Sequence, residues 1–174
     1  MFEPETTAAD VLTDAALGAI AGVAATAAMG PLTTYLSKTQ PEPAARQEKE
    51  VNKKLGAPPT VKVAEKAAAA VGTSVPPHRR SLAGNVVHDG LGTFWGAALG
   101  ALSARWRPLP PGAGVALGIL LWMSMDEAPL PALGLSAKPH ESPRETRARG
   151  LAAHVVYGVV LDRSLAVLRG ALGR

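Results

Sequence analysis

Two histidines and three acidic residues lie within or beside long uncharged stretches of this chain. His88-Asp89 interrupts one such stretch, His154 lies inside another, and Asp126-Glu127 follows a third. Imidazole titrates near neutral pH, and a neighbouring carboxylate can hold or release the same proton. Ionisable side chains inside apolar segments mark functional sites in membrane proteins, so these residues indicate a site that handles protons or small ions.

Helical geometry predicts that these groups meet. At 100° per residue, the polar residues of 82–104 occupy an arc of about 140°. Counted at 1.5 Å per residue from one side of a membrane, His88 lies about 12 Å deep, His154 about 8 Å and Asp126 about 15 Å. We therefore predict one buried polar cluster, which comprises Asn85, His88, Asp89, Asp126, Glu127, His154 and Tyr157.

Two other interpretations of this cluster stay open. The polar groups could only tie helices together, in a structural or assembly module whose partner is another membrane protein or a second copy of the chain. Alternatively, His88 and His154 could be axial ligands of a haem, or bind a divalent ion together with carboxylates. Neither histidine belongs to an HxxxH or ExxH pair, so we predict no metal and no cofactor.

Enzymatic chemistry has little support in the sequence. The absence of Cys excludes thiol nucleophiles, iron–sulfur clusters and disulfides. No Ser-His-Asp pattern is present, and the glycines at 112, 114 and 118 lack the Lys-Ser/Thr of a nucleotide loop. We predict that the protein is not an enzyme and has no catalytic residues.

The elements that must position the cluster are four apolar segments. We predict an all-α membrane bundle, a single domain over 1–174, with transmembrane helices at 15–37, 82–104, 110–135 and 150–168. The third contains Pro129 and Pro131, and we predict that it continues through this break. Between the first two lies a polar, partly helical loop, 38–80, with helices from Pro43 to Gly56 and from Thr60 through Val71. The second of these helices could lie on the membrane surface or be solvated.

Small residues recur along the apolar segments at the spacing by which membrane helices approach closely. The first segment carries a small residue at every fourth position, namely Gly18, Gly22, Thr26 and Gly30, and the second and fourth segments carry similar series. Helix packing is therefore predicted at Gly18, Gly22, Gly92, Gly96, Gly100, Gly150 and Gly158.

Composition and charge agree with a membrane location. Of the 174 residues, 47% are hydrophobic and 18% are charged, against about 25% charged in an average soluble domain. The basic residues separate apolar segments, which favours the lipid bilayer as partner and argues against nucleic acid. Nine Lys and Arg follow the first segment and four follow the third, against two after the second, which predicts cytoplasmic loops there and both termini outside. A water-soluble Ala-rich bundle is the alternative, since the mean hydropathy is only +0.12.

Three segments together resemble the YagU-like family of small bacterial inner-membrane proteins. They are His88-Asp-Gly-Leu-Gly-Thr-Phe-Trp-Gly96, the stretch from Gly118 through Asp126-Glu127 to Leu135, and Gly150-Leu-Ala-Ala-His154-Val-Val-Tyr-Gly158. The resemblance implies a multi-pass inner-membrane protein of about four helices, whose family has no established molecular activity. It carries over no catalytic residues.

Overall fold

A computed structural model describes residues 6–104 and 112–173, and within these ranges the protein is helical and has no strand. This confirms the predicted all-α class. The helices are α1 (Ala8–Thr39), α2 (Glu42–Leu55), α3 (Pro59–Ala70), α4 (Arg80–Ser103), α5 (Ala113–Trp122), α6 (Pro129–Ala132) and α7 (Arg144–Ala171), with a 3₁₀ turn at Pro77–Arg79 and a π-helical turn at Met123–Glu127.

Helix α1 is the central element of the bundle, because both α4 and α7 pack along it. Its first turn is fixed by a capping box, in which the side chains of Thr7 and Asp10 each accept a hydrogen bond from the other residue's backbone N–H. Helix α5 packs against the far side of α7, and α3 packs against α4. The buried apolar residues of α1 and α7 form the core, chiefly Leu17, Ala21, Ala25, Leu161 and Leu165.

Different helix ends and loops lie at the two ends of the bundle, which we call the loop end and the terminal end. At the loop end, α1 gives way to α2, α3 starts beside α4, and α7 begins. At the terminal end, α1 begins and α4 and α7 finish. Residues 105–111, which include the first two residues of the third predicted span, lie outside the described ranges.

Glycines bring α1 and α4 into backbone contact. A Cβ atom placed on Gly22 would lie 2.6 Å from the carbonyl oxygen of Gly92, and one on Gly96 would lie 2.7 Å from the Cα of Gly22. Gly18 and Gly100 face each other one turn further along. Because no side chain keeps the backbones apart, the two helices make close contact over several turns.

A second glycine contact joins α5 to α7. A Cβ atom on Gly114 would lie 2.6 Å from the carbonyl oxygen of Gly158, and one on Gly118 would lie 2.7 Å from the Cα of Val155. Gly150 behaves differently, since the atoms nearest to it are side-chain atoms of Trp122.

Three helices are long and apolar enough to cross a membrane: α1, the continuous segment Ala113–Ala132, and α7. No more than 39% of the residues in their apolar windows are buried inside the protein. Soluble proteins rarely leave so much contiguous apolar surface exposed, so these helices are typical of a membrane protein. At 24 residues α4 is about 36 Å long, but Asn85, His88 and Asp89 reduce its hydropathy, and it is not among the three.

The segment 38–80 packs onto the bundle. Both predicted helices are present, although α3 begins at Pro59, because proline suits the first turn of a helix. Val61 of α3 is buried and its side chain occupies the space left by Gly84 of α4. Arg80 and Glu65 form an ion pair of 2.7 Å across the same interface. Helix α3 therefore packs one face against α4, while most of its other residues stay partly or fully exposed, so whether they contact lipid or water stays a prediction.

Candidate functional site

Asp126 and Glu127 lie in the π-helical turn that follows α5. Pro129 and Pro131 have no N–H, so regular helical hydrogen bonds to the carbonyls of residues 125 and 127 cannot form. The helix widens into the π turn and resumes as the short α6, as the predicted proline break requires. Such turns redirect side chains and recur at functional sites.

His154 lies opposite this turn, on α7. Its Nδ1 is 2.9 Å from the carbonyl oxygen of Gly150 and 3.7 Å from Oδ2 of Asp126. Since a carbonyl oxygen only accepts hydrogen bonds, Nδ1 carries the hydrogen, and in the neutral ring Nε2 is left as an acceptor. Gly150 makes room for this arrangement, because a Cβ there would lie 3.3 Å from Nε1 of Trp122 and 3.7 Å from Oδ2 of Asp126.

Glu127 is bound by an arginine that sequence reasoning did not include. Arg147 donates hydrogen bonds of 3.1 and 2.6 Å to the two oxygens of Glu127. Its guanidinium also lies 6.0 Å from the ring centroid of Trp122. The guanidinium of Arg147, which lies one turn before Gly150 on α7, thus neutralises the charge of Glu127 through two hydrogen bonds.

Tyr157 and His88 connect this region to α4. The hydroxyl of Tyr157 donates a hydrogen bond of 2.6 Å to the carbonyl oxygen of Gly92, and only 3% of Tyr157 is exposed. His88 is exposed at the surface. It nevertheless lines a cavity that Asp126 and Tyr157 also line, and it interacts electrostatically with Asp126. The structure therefore brings five predicted residues together: His88, Asp126, Glu127, His154 and Tyr157.

Asn85 and Asp89 are not part of this group. Both are exposed on α4, and neither lines the cavity that His88 lines. They are rotated from His88 by about 60° and 100° around the helix axis. The glycine contact between α4 and α1 fixes the rotation of α4 about its axis. In this rotation only one edge of the predicted polar arc of α4, the edge that carries His88, faces the cavity. Among the described residues, Asp89 makes no ion pair.

These five residues surround a cavity of about 910 Å³ at the loop end. Its walls come from α1, α4, the segment Ala113–Ala132 and α7, and α2 with the start of α3 covers it. Apolar side chains dominate the lining, among them Met29, Val51, Leu55, Leu91, Trp95, Leu121, Trp122, Leu130 and Leu135. A mostly apolar cavity with a few convergent polar groups is the usual form of a small-molecule site.

An ion pair holds the cover in place. Arg149 of α7 forms an ion pair with Glu48 of α2, and both side chains are largely buried. Gln40 donates a hydrogen bond of 2.9 Å to Glu48 and accepts one of 3.0 Å from Arg149. Burial raises the pKa of Glu48, but the hydrogen bonds from Arg149 and Gln40 outweigh it and hold the pKa below its usual range.

A second polar group, not predicted, lies at the terminal end. Asp14 is fully buried and forms a 3.2 Å ion pair with Arg169, which also donates a 2.8 Å hydrogen bond to Ser103. The sequence carries a signal for it, since Asp14 precedes Gly18 by one helical turn on the same small-residue stripe. This group links the ends of α1, α4 and α7.

Among the described residues, no group of three or more His, Asp or Glu side chains converges closely enough to bind a metal ion. No family model, curated protein or solved structure matches this chain.

Proposed function

We propose that this protein is a multi-pass membrane protein that takes up and releases protons, or small cations in their place, at Asp126 and His154. The observation that carries the proposal is the 3.7 Å approach of His154 Nδ1 to Asp126 Oδ2 on the wall of a cavity. Glu127 and Glu48 each form an ion pair with an arginine. Asp126 is the carboxylate on the cavity wall that interacts with histidines instead.

Access to this site supports exchange from one side. His154 and Asp126 are half-buried, with side chains 19% and 38% exposed, so the cavity reaches them. Towards the terminal end, Leu17, Leu161 and Leu165 fill the space between α1 and α7. Proton exchange at the loop end explains this arrangement better than conduction across the bundle.

The same proposal includes the topology. With α4 packed along α1 as a fourth span, the bundle has four transmembrane helices, and the positive charge of 38–80 favours a cytoplasmic loop end in an inner membrane. Membership of the YagU-like family of bacterial proteins stays a prediction, as does the absence of enzymatic activity.

Trp122 provides the test, because Nε1 of this residue and Oδ2 of Asp126 both lie near Gly150. In nanodiscs, with Trp95 and Trp106 replaced by Phe, the fluorescence of Trp122 should change between about pH 5 and pH 8. His154→Gln should abolish this change. His140→Gln alters an exposed histidine outside the cavity and should preserve it. An unchanged response in His154→Gln would refute proton exchange at this residue.

The alternative, a structural or assembly module, is favoured by the hydrogen bond from Tyr157 to the backbone of Gly92, which ties α7 to α4. If the pH response of Trp122 is absent in the parent protein, the polar groups serve only to join helices, and a binding partner should be sought.

A further inference from the structure

Residues of both α4 and the segment Ala113–Ala132 line the cavity, and within the described ranges these two elements make no extensive contact with each other. The extensive contacts of these elements are with other helices: α4 packs on α1 and α3, and α5 packs on α7. Leu91 of α4 and Leu133, just after α6, line the cavity while 43% and 60% of their surfaces are exposed. A gap between these two elements would face lipid in a membrane-spanning bundle, so an apolar molecule could enter there without crossing water.

The charges on the cavity wall favour a cation. Glu127 is neutralised by the two hydrogen bonds from Arg147, and Glu48 is neutralised by Arg149. Asp126 interacts electrostatically with His88, His154 and Glu127, and within the described ranges it forms no ion pair with a Lys or Arg, so neutral imidazoles leave its negative charge uncompensated. Burying an uncompensated charge is unfavourable, so a positive group beside Asp126 would be stabilised.

Aromatic rings lie on the same wall. Trp95 and Trp122 both line the cavity, and Nε1 of Trp95 is buried without a hydrogen-bond partner among the described residues. Tryptophan faces attract cations electrostatically. Trp122 already has the Arg147 guanidinium 6.0 Å from its ring. Together, carboxylate and indole rings are the groups that recognise organic ammonium ions.

We propose that this cavity binds an amphipathic organic ammonium compound, with its positive head beside Asp126 and its apolar body against Leu91, Leu121 and Leu130. The cavity volume of about 910 Å³ lies within the usual range for small-molecule sites, roughly 300–1,000 Å³. The inference rests on the proposed function, because the ammonium and the proton would share one carboxylate.

Competition with protons follows from this shared site. The charged and titratable groups facing the cavity are His88 on α4, Glu48 on α2, Asp126 and Glu127 in the π turn, and Arg147, His154 and Tyr157 on α7. Protonation of His88, His154 or Asp126 makes the wall more positive. The affinity for an ammonium compound should therefore fall as the pH falls, by up to about tenfold per pH unit for one competing proton.

Equilibrium binding of decyltrimethylammonium and of decanoate tests the proposal, because the two probes share an alkyl chain length and differ in the sign of the head group. The protein is placed in nanodiscs of zwitterionic phosphatidylcholine, with empty nanodiscs as the blank. Decyltrimethylammonium should bind saturably at pH 8 and more weakly at pH 5. Asp126→Asn should weaken its binding by about tenfold or more. Asp89→Asn, the same substitution outside the cavity, should leave the affinity unchanged.

Leu91→Trp supplies a second variant that keeps every charge. It enlarges a side chain that lines the cavity and should weaken binding of decyltrimethylammonium while circular dichroism remains that of the parent. Absence of saturable binding, a preference for decanoate, or equal affinities for parent and Asp126→Asn would each overturn the inference. If Trp122 still reports a His154-dependent pH response in that case, proton exchange stands without the ligand. If decyltrimethylammonium binds equally at pH 5 and pH 8, the ammonium and the proton do not share a carboxylate and the inference is overturned, whereas the His154-dependent pH response of Trp122 decides the proton proposal separately.

Discussion

Gly96→Ala adds one methyl group to the interface between α1 and α4. The new carbon would lie 2.7 Å from the Cα of Gly22 and 3.0 Å from its nitrogen, whereas ordinary van der Waals contact begins at 3.4 Å. These neighbours, and the carbonyl oxygen of Gly18 beside them, are backbone atoms, so they cannot move aside as a flexible side chain would. The helices must separate by several tenths of an ångström, and overpacking of this kind costs about 1–3 kcal/mol.

Gly90→Ala is the matched control on the same helix. No atom lies within 4 Å of its added carbon, so the substitution meets open space. Both variants gain about 0.5–1 kcal/mol from the helical preference of alanine over glycine, and this gain cancels when they are compared. We therefore expect the unfolding free energy of Gly96→Ala to lie about 1–3 kcal/mol below that of Gly90→Ala.

Reversible unfolding in mixed micelles, with increasing sodium dodecyl sulfate and circular dichroism as the signal, measures this difference. Gly96→Leu should prevent assembly of the bundle altogether, because its side chain is much larger. Equal stabilities of the two alanine variants would show that α1 and α4 do not pack through these glycines, and the arrangement of the cavity wall would then be wrong.

Two further predictions concern the ion pairs at the two ends. Asp14→Ala should destabilise the protein by about 3–5 kcal/mol in the same assay, because it removes the carboxylate that pairs with the buried Arg169. The double variant Asp14→Ala/Arg169→Met should recover much of that loss. Strictly additive effects of the two substitutions would contradict the pairing. At the loop end, the lowered pKa of Glu48 means that its stabilising contribution is complete above its unfolded-state pKa and is lost as the pH falls through the folded-state pKa. The stability difference between the parent and Glu48→Gln should therefore stay constant from pH 7 to about pH 5 and shrink as the pH falls further towards about pH 3, and a difference that stays constant over that lower range would refute the assigned role of the ion pair.

Local pattern was enough to predict the helices. Uncharged runs, prolines and glycine spacing are properties of neighbouring residues, so α1, α4, α7 and the interrupted third segment follow from the sequence, although α1 and α7 begin seven and six residues before the predicted spans 15–37 and 150–168. Counting 1.5 Å per residue from one end of the bundle also predicted similar depths for His154 and Asp126, and the two residues lie near each other. This count works because neighbouring antiparallel helices run along nearly the same axis, so depths in both can be measured from the same side.

The rotation of each helix, and the partners of its charged side chains, came only from tertiary packing. Asn85 and Asp89 lie on the polar arc of α4, but the glycine contact with α1 fixes the rotation at which only His88 lines the cavity. The pairs of Glu48 with Arg149 and of Asp14 with Arg169 join residues 101 and 155 positions apart. Helical periodicity relates residues within a few turns, whereas such contacts depend on the angles at which whole helices pack, and those angles are set by all the interfaces at once.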